Sequence, residues 1–383
     1  MLTVTQYEAR ENEMISQLPN RVVEMVNPVV FQTEGYPTRV RDESELWKFL
    51  DVMHETRFER DFAGLIGGGI TEAEFALIRK VAQLAHSFSE EYFSRSLTTR
   101  GSLLRAVNVF RHITDAFCDK PARIFEVGPG SGYLGCLLIL SGWSYAATDI
   151  TQAFYLLQNR LWNYATNGKL WDLAEDGVRD RDLSPAHPVH VPWWEFYQFL
   201  GAKVPLVDVV TCNHALAEMH PNSLAYTLRV AREMLKGDGT KLFAFEGWGF
   251  EKFIPRSRIT ELFYRFGFRL VHNDDEIVVF CPADNACANP SFGLPSRPPI
   301  KEWLKDELKR RLGIPFGSAR FSPPRTFLKG NVICQRLLEA RNRRSSQVSI
   351  NLERVNEFYK ELLASDDYRT PDERFLDQID RTY

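Results

Sequence analysis

The stretch "RIFEVGPGSGYLGCLLILSG", residues 123–142, limits the fold more than any other part of the chain. Its first five residues are a short apolar run bounded by glycine, which predicts a buried strand. "GYLGCLLILSG" then reads as a helix that stops at Gly142. A strand that ends in a glycine turn before a helix presents backbone N–H groups at the positive end of the helix dipole. The glycines also let a ligand approach the backbone closely. They fit two registers. Gly130, Gly132 and Gly135 satisfy G-x-G-x-x-G, and Glu126, Gly128, Gly130 and Gly132 satisfy E-x-G-x-G-x-G. Asp149 ends the next predicted strand, 19 residues after Gly130, where an acid can accept hydrogen bonds from ribose hydroxyls. Both registers predict such an acid, so it does not choose between them.

The rest of the chain supplies a context for this unit. Strands are predicted at 122–127, 144–150, within 189–196, at 206–212 and at 241–246, with helices between them. A hairpin follows at 268–281. Alternating strands and helices specify an α/β fold: a Rossmann-like, doubly wound, mostly parallel sheet with a C-terminal antiparallel hairpin. Helical additions flank it at both ends. Residues 1–120 read as a helical region on the substrate side, 121–283 as the nucleotide-binding domain, and 284–383 as a linker and helical extension. Helical spacing covers 44–66, a "GGGI" turn follows, and Thr71 with Glu74 forms a capping box for the next helix. The segment 169–188 is polar and predicts no core element. Helices are predicted again at 300–313, 331–346 and 351–365, and "TPDERFLDQI" has the pattern of one more helix start.

Charge and cysteine content exclude several classes. The net charge of −3 gives no global pull toward nucleic acid or membrane. The exception is 301–345, where 12 Lys and Arg face 4 Asp and Glu. No apolar run reaches the ~18 residues of a membrane span. The first residues lack the apolar core of a signal peptide. The six cysteines contain no C-x-x-C pair and read as reduced thiols. A soluble, cytoplasmic protein is expected. His187, His190 and Glu195 are too loosely spaced to predict a metal site, and no metal is expected.

Glu126 separates the two registers. An acid two residues before Gly128 would repel a dinucleotide pyrophosphate, but it would pair with the α-ammonium of S-adenosylmethionine. The alternative is a structural pair with a nearby arginine such as Arg123. The order of elements points the same way, and here the chain resembles the class I S-adenosylmethionine-dependent methyltransferases. "FEVGPGSGYLG" is similar to their first motif, "ATDI" to the acidic end of their second strand and "VDVVTCNHALAEM" to their fourth-strand motif. "AREMLKGDGTKLFAFE" resembles their helix, glycine turn and fifth strand, and "LFYRFGFRLVHNDDEIVVF" their closing helix and hairpin. The likeness covers roughly 121–282. It implies that Glu126, Gly128, Gly130 and Gly132 wrap the methionine end of the cofactor, that Asp149 binds the ribose and that Ile150 packs near the adenine. Asn213 joins this set from the fourth-strand motif. The family's acid after the third strand has no clear counterpart in "VHVPWWEF", where Trp193, Glu195 or a backbone carbonyl stands instead.

Methyl transfer to a hydroxyl needs a base. "CNHALAEMHPN" follows the fourth predicted strand, whose C-terminal end faces the crevice. His214 is expected as general base, with Glu218, four residues on, orienting it across a helical turn. His220 is a further catalytic candidate. Glu246, Arg105, Trp193 and Trp194 are candidates for the substrate side, with Arg100 and Ser102 on the same helix as Arg105. "NHALAEM" with the "EGWG" turn is also similar, over a short span, to a bacterial family of sugar O-methyltransferases. The leading expectation is O-methylation of a sugar or other small hydroxylated molecule. One alternative is a methyltransferase that holds RNA or a carrier-bound substrate through the basic 301–345 segment, although no RNA-binding motif is present. Another is a non-catalytic assembly subunit. The terminal helices offer surfaces for self-association.

Overall fold

A computed structural model describes residues 1–25, 39–50, 69–97, 99–118, 120–176, 187–201, 204–248, 254–274, 277–285, 326–327, 331–346 and 350–363. The first helices are α1 (Val4–Ile15), α2 (Glu72–Phe93) and α3 (Gly101–Ala116). The alternating unit comprises β1 (Arg123–Val127), α4 (Tyr133–Leu140), β2 (Ser144–Asp149), α5 (Gln152–Ala165), β3 (Trp171–Asp172), β4 (Val189–Pro192), β5 (Val209–Thr211), α6 (Pro221–Met234) and β6 (Leu242–Phe245). Then come α7 (Arg256–Arg265), β7 (Phe268–Asn273), β8 (Val278–Pro282), β9 (Thr326–Phe327), α8 (Val332–Ser346) and α9 (Leu352–Leu363).

The strands form one sheet in the order β3-β4-β2-β1-β5-β6-β8-β7-β9. All pairs from β3 to β6 are parallel, and β8, β7 and β9 are antiparallel. This is the doubly wound sheet with a closing hairpin that the sequence predicts. The chain runs from β1 outward through β2 to β4 and β3, then crosses back to β5 and β6. The order reverses at β1, so a crevice opens at the C-terminal ends of β1 and β5. Both faces of the sheet are covered, which explains why β5, β6 and β8 are buried at every position.

Local sequence accounts for the packing around that crevice. Gly135 lies inside α4. A Cβ there would sit 2.8 Å from Trp162 on α5 and 2.8 Å from Tyr145 on β2. The last glycine of the G-x-G-x-x-G register is therefore a packing glycine that lets helix, helix and strand close up. In the N-terminal region the Thr71–Glu74 capping box forms as expected. Glu74 also accepts two hydrogen bonds from Arg111 on α3, at 2.9 and 2.8 Å, so one carboxylate caps α2 and pins α3. One apolar core runs without a break from Val4 on α1 to Tyr359 on α9.

Two expectations change, and the third strand falls within 189–196 as expected. Leu46 and Phe49 do turn inward, but the described part of the predicted 44–66 helix is a 3-10 segment, Glu43–Phe49, capped by Asp42. Residues 51–68 lie outside the described set. The polar segment 169–188 contributes an edge strand, since β3 pairs Trp171 with Val189 and Asp172 with His190. The third core strand, β4, ends at Pro192, so the aromatic cluster that follows lies beyond it.

The C-terminal extension is described only in part. The predicted 300–313 helix, "TPDERFLDQI" and the basic residues up to 325 lie outside the described set, as does Cys287. On α8, Arg336 donates to the Ala116 carbonyl at 2.8 Å, Arg344 pairs with Asp115, and Arg341 lies 3.6 Å from Asp274. His272 adds a second tie, with Asp274 at 2.9 Å and the Cys334 sulfur at 3.5 Å. Burial opposes its charge, but the bonds to Asp274 and Cys334 prevail and push its pKa to about 9. Among the described residues, the cysteines are free thiols, and no helix is long and apolar enough to cross a membrane. No group of three or more His, Cys, Asp or Glu among them could hold a metal ion.

Candidate active site

A cavity of about 230 Å³ opens at the C-terminal ends of β1, β2 and β5. Its walls contain the glycine turn, Glu126, Asp149, Ile150 and Asn213 at one end, and His214, Glu218, Glu246 and Arg105 at the other. The sheet order thus gathers residues more than a hundred positions apart into one space.

The turn between β1 and α4 uses its glycines for backbone shape. Gly128, Gly130 and Gly132 have φ of 71°, 59° and 81°, where side chains are strained. Before the turn, Glu126 is 2% exposed, between the apolar Phe125 and Val127. Its Oε2 accepts from the Tyr145 hydroxyl at 2.6 Å and its Oε1 from Asn213 Nδ2 at 3.3 Å. Burial pushes its pKa up to about 7, against the pull of those two donors. Arg123 is occupied elsewhere, with its guanidinium 3.3 Å from Asp208. The Arg123 pairing is therefore not made. This carboxylate forms no ion pair among the described residues.

Asp149 is more heavily engaged than the sequence suggests. Oδ1 accepts from the Thr151 backbone at 2.9 Å and the Thr151 hydroxyl at 2.8 Å. Oδ2 accepts from Gln158 Nε2 at 2.9 Å. Burial raises its pKa despite these donors. Gln158 and Trp162 are residues that sequence reasoning missed. Gln158 donates to the Gly130 carbonyl at 2.6 Å and Trp162 Nε1 to the Gly132 carbonyl at 2.9 Å. By periodicity alone they are ordinary buried positions of a helix.

The N-terminal region forms part of the wall. Ser131 donates to the Phe49 carbonyl at 2.9 Å and the Tyr133 hydroxyl to the Leu50 carbonyl at 2.5 Å. Trp193 lines the cavity, and its Nε1 donates to Glu11 of α1 at 2.8 Å. Trp194 does not line it. It is 1% exposed, with its ring 5.2 Å from that of Tyr7, because the chain after β4 makes one helical turn that directs it into the core. Glu195 and Arg100 are also absent from the lining, whereas Ser102 lies on it beside Arg105.

The acceptor end differs from the expected helical turn. His214 has φ of 57°, a left-handed conformation that prevents a helix from starting there. Its partner is consequently Glu246, at the end of the neighbouring strand, and not Glu218. His214 Nε2 lies 3.7 Å from Glu246 Oε1, and Arg105 Nε lies 3.5 Å from the same oxygen. The His214 backbone N–H donates to the Glu246 carbonyl at 3.0 Å, and Asn213 Oδ1 accepts from the Glu246 N–H at 3.0 Å. Asn213 therefore links the Glu126 end to the Glu246 end. Gly247 leaves room for the imidazole, since a Cβ there would fall 2.0 Å from His214 Nδ1. Glu218 remains on the cavity wall. His220 caps α6, its Nδ1 accepting from the Asn222 N–H at 3.2 Å, so its ring is engaged in holding the helix start. His190 is fully buried, stacked on Tyr155 at 3.9 Å with Nδ1 2.7 Å from Asn159 Oδ1, which accounts for it as a core histidine.

No protein-family model matches the chain, and no curated protein matches its sequence. Among solved structures it is similar to an N-methyltransferase from Bradyrhizobium japonicum WM9 in complex with S-adenosylhomocysteine: 10% identity, 46% of this chain, 84% of that chain, TM-score 0.31. It is also similar to the magnesium protoporphyrin IX methyltransferase from Synechocystis PCC 6803 with bound cofactor: 12% identity, 60% and 97% of the two chains, TM-score 0.31. A third structure is the [4+2]-cyclase SpnF: 14% identity, 54% and 75%, TM-score 0.30. Identities and scores at this level leave the functional reading to the residues themselves.

Proposed function

We propose that this protein is an S-adenosylmethionine-dependent methyltransferase acting on a hydroxyl group of a sugar or another small hydroxylated molecule. The observation that carries the reading is Glu126. A buried carboxylate with no ion pair among the described residues lines a glycine-walled cavity at the topological switch point. Such a group is costly to keep charged without a cation, and an α-ammonium is one of the right size. The same wall would repel a pyrophosphate. Glu126 and Asn213 would hold the amino acid end of the cofactor, the glycine turn its backbone-facing side, and Asp149 the ribose. Three protein donors already engage the Asp149 carboxylate, so a ribose hydroxyl would take its remaining acceptor position or share one.

Bound in this way, S-adenosylmethionine supplies an electrophilic methyl group. The chain's own contribution lies at the other end of the cavity. His214 takes the proton of the acceptor hydroxyl at Nε2, and Glu246 beside it favours the imidazolium that results. Arg105 keeps the Glu246 carboxylate in place. The wall from α3 and the segment after β4 excludes water and aligns the acceptor, which for an in-line displacement supplies much of the rate.

Calorimetric titration with S-adenosylhomocysteine tests the cofactor assignment, and transfer of a labelled methyl group to a panel of hydroxylated metabolites tests the reaction. Wild-type protein that gives no heat with either form of the cofactor would remove the reading and favour the assembly role.

A further inference from the structure

Gln158 has one unusual property. It is completely buried, and its Oε1 has no hydrogen-bond partner among the described residues. Its Nε2 has two, the Gly130 carbonyl at 2.6 Å and Asp149 Oδ2 at 2.9 Å. The amide orientation is set by these neighbours, since the reverse would place Oε1 against two oxygens. A leucine of similar size would fit the core without leaving a polar atom unpaired. The nitrogen is the part of this side chain that does something a leucine cannot.

What it does follows from peptide geometry. Gln158 bridges two groups: its Nε2 donates both to the Gly130 carbonyl and to Asp149 Oδ2. One side chain thus ties the middle of the glycine turn to the acid that ends β2. In a trans peptide the N–H points opposite to the carbonyl. By holding the Gly130 carbonyl toward α5, Gln158 turns the Ser131 N–H away from α5. Trp162, four residues on and on the same helix face, does the same for the next-but-one plane through the Gly132 carbonyl. A Cβ on Gly130 would meet none of the described atoms within 4 Å, and its φ is 59°, so open space lies on that side while Gln158 holds the carbonyl on the other.

We propose that Gln158 is a positioning residue of the cofactor site, locking Gly130 to Asp149 so that the glycine turn is set before the cofactor arrives. This rests on the reading of the cavity as an S-adenosylmethionine site. Gln158 touches no ligand in this scheme; it acts through the turn.

The test uses the full chain with S-adenosylhomocysteine as probe. Gln158→Leu keeps the volume and removes both donated bonds. Its affinity should fall about tenfold to a hundredfold, the range for losing hydrogen bonds to a charged group. Backbone hydrogen exchange across 128–133 should speed up. Leu337→Ala, in the separate core cluster under α8, provides a destabilised control whose affinity stays at the wild-type value. Affinity within twofold of wild type in folded Gln158→Leu overturns the proposal. So does weaker binding with unchanged exchange in the turn. If Gln158→Leu does not fold, the milder Gln158→Asn is judged by the same two criteria. If wild-type protein gives no heat with the probe, the reading of the cavity falls. The exchange arm then decides on Gln158 alone: faster exchange upholds the lock and unchanged exchange overturns it.

Discussion

At the cofactor end of the cavity both oxygens of Glu126 and both of Asp149 are held by protein donors; at the acceptor end Glu246 keeps one oxygen, Oε2, without a hydrogen-bond partner among the described residues. The first end is made of strand termini and a turn braced from α5. The second is made of loops after β5 and β6, with ion-pair separations of 3.5 and 3.7 Å that are too long for good hydrogen bonds. One end is organised by the fold alone. The other has unused acceptor capacity, which suits a site completed by its substrate.

Substitutions should separate the two ends. The largest effect is expected from His214→Ala, which should lower turnover by about a hundredfold to ten-thousandfold, the usual contribution of a general base. Calorimetry with S-adenosylhomocysteine should show the affinity little changed. Full turnover in that variant would end the base assignment. Glu246→Gln should lower turnover more than Glu218→Gln. The reverse order would restore the helical-turn pairing expected from sequence.

Glu126→Gln should act at the opposite end, weakening cofactor binding by about tenfold to a hundredfold. It also has a pH signature. The cofactor ammonium needs the ionised carboxylate, so binding should weaken as pH falls through about 7, and the substitution should abolish that limb. Stability runs the other way. The pKa in the fold lies above the ordinary 4.5, so protonated Glu126 favours the ligand-free fold. That contribution is full below about 4.5 and is lost as pH rises through about 7. It is worth roughly 3 kcal/mol. Thermal unfolding of wild type and Glu126→Gln across this range measures it; parallel curves would show that the carboxyl titrates normally.

A smaller loss of turnover, about tenfold or more, is expected for Gly247→Ala, whose methyl group would displace the imidazole. Unchanged kcat there would mean that the His214 ring position is not critical. The smallest effect should come from His220→Ala. Losing the α6 cap should cost about 1 kcal/mol in denaturant unfolding, with far less effect on turnover than His214→Ala. A comparable loss of turnover would return His220 to the catalytic set.

The same division explains what the sequence made legible. Glu126, the glycines and Asp149 lie within one strand–turn–helix–strand unit, so their spacing alone places them together. His214 and Glu246 meet only because β5 and β6 are neighbours, and spacing within one segment offered Glu218 instead. The left-handed backbone at His214 is a tertiary effect: the residue is held by the Glu246 and Gly247 carbonyls of another loop. Gln158 and Trp162 were hidden for a different reason. Their periodicity is that of any buried helix face, and nothing local shows that they donate to a turn almost thirty residues upstream. Trp194 shows the converse error, a residue attractive by type but turned into the core by one helical turn. The edge strands β3 and β9, at two residues each, are too short to show a period.

The bonds from Ser131 and Tyr133 to the carbonyls of Phe49 and Leu50 have a kinetic consequence. These side chains belong to the glycine turn, yet their acceptors lie more than eighty residues earlier in the chain. Under the proposed reading, the residence time of a nucleoside held there should depend partly on how often the N-terminal segment lets go of the turn. Exchanging that segment for another would alter the dwell time of the cofactor while every residue that touches it stayed the same.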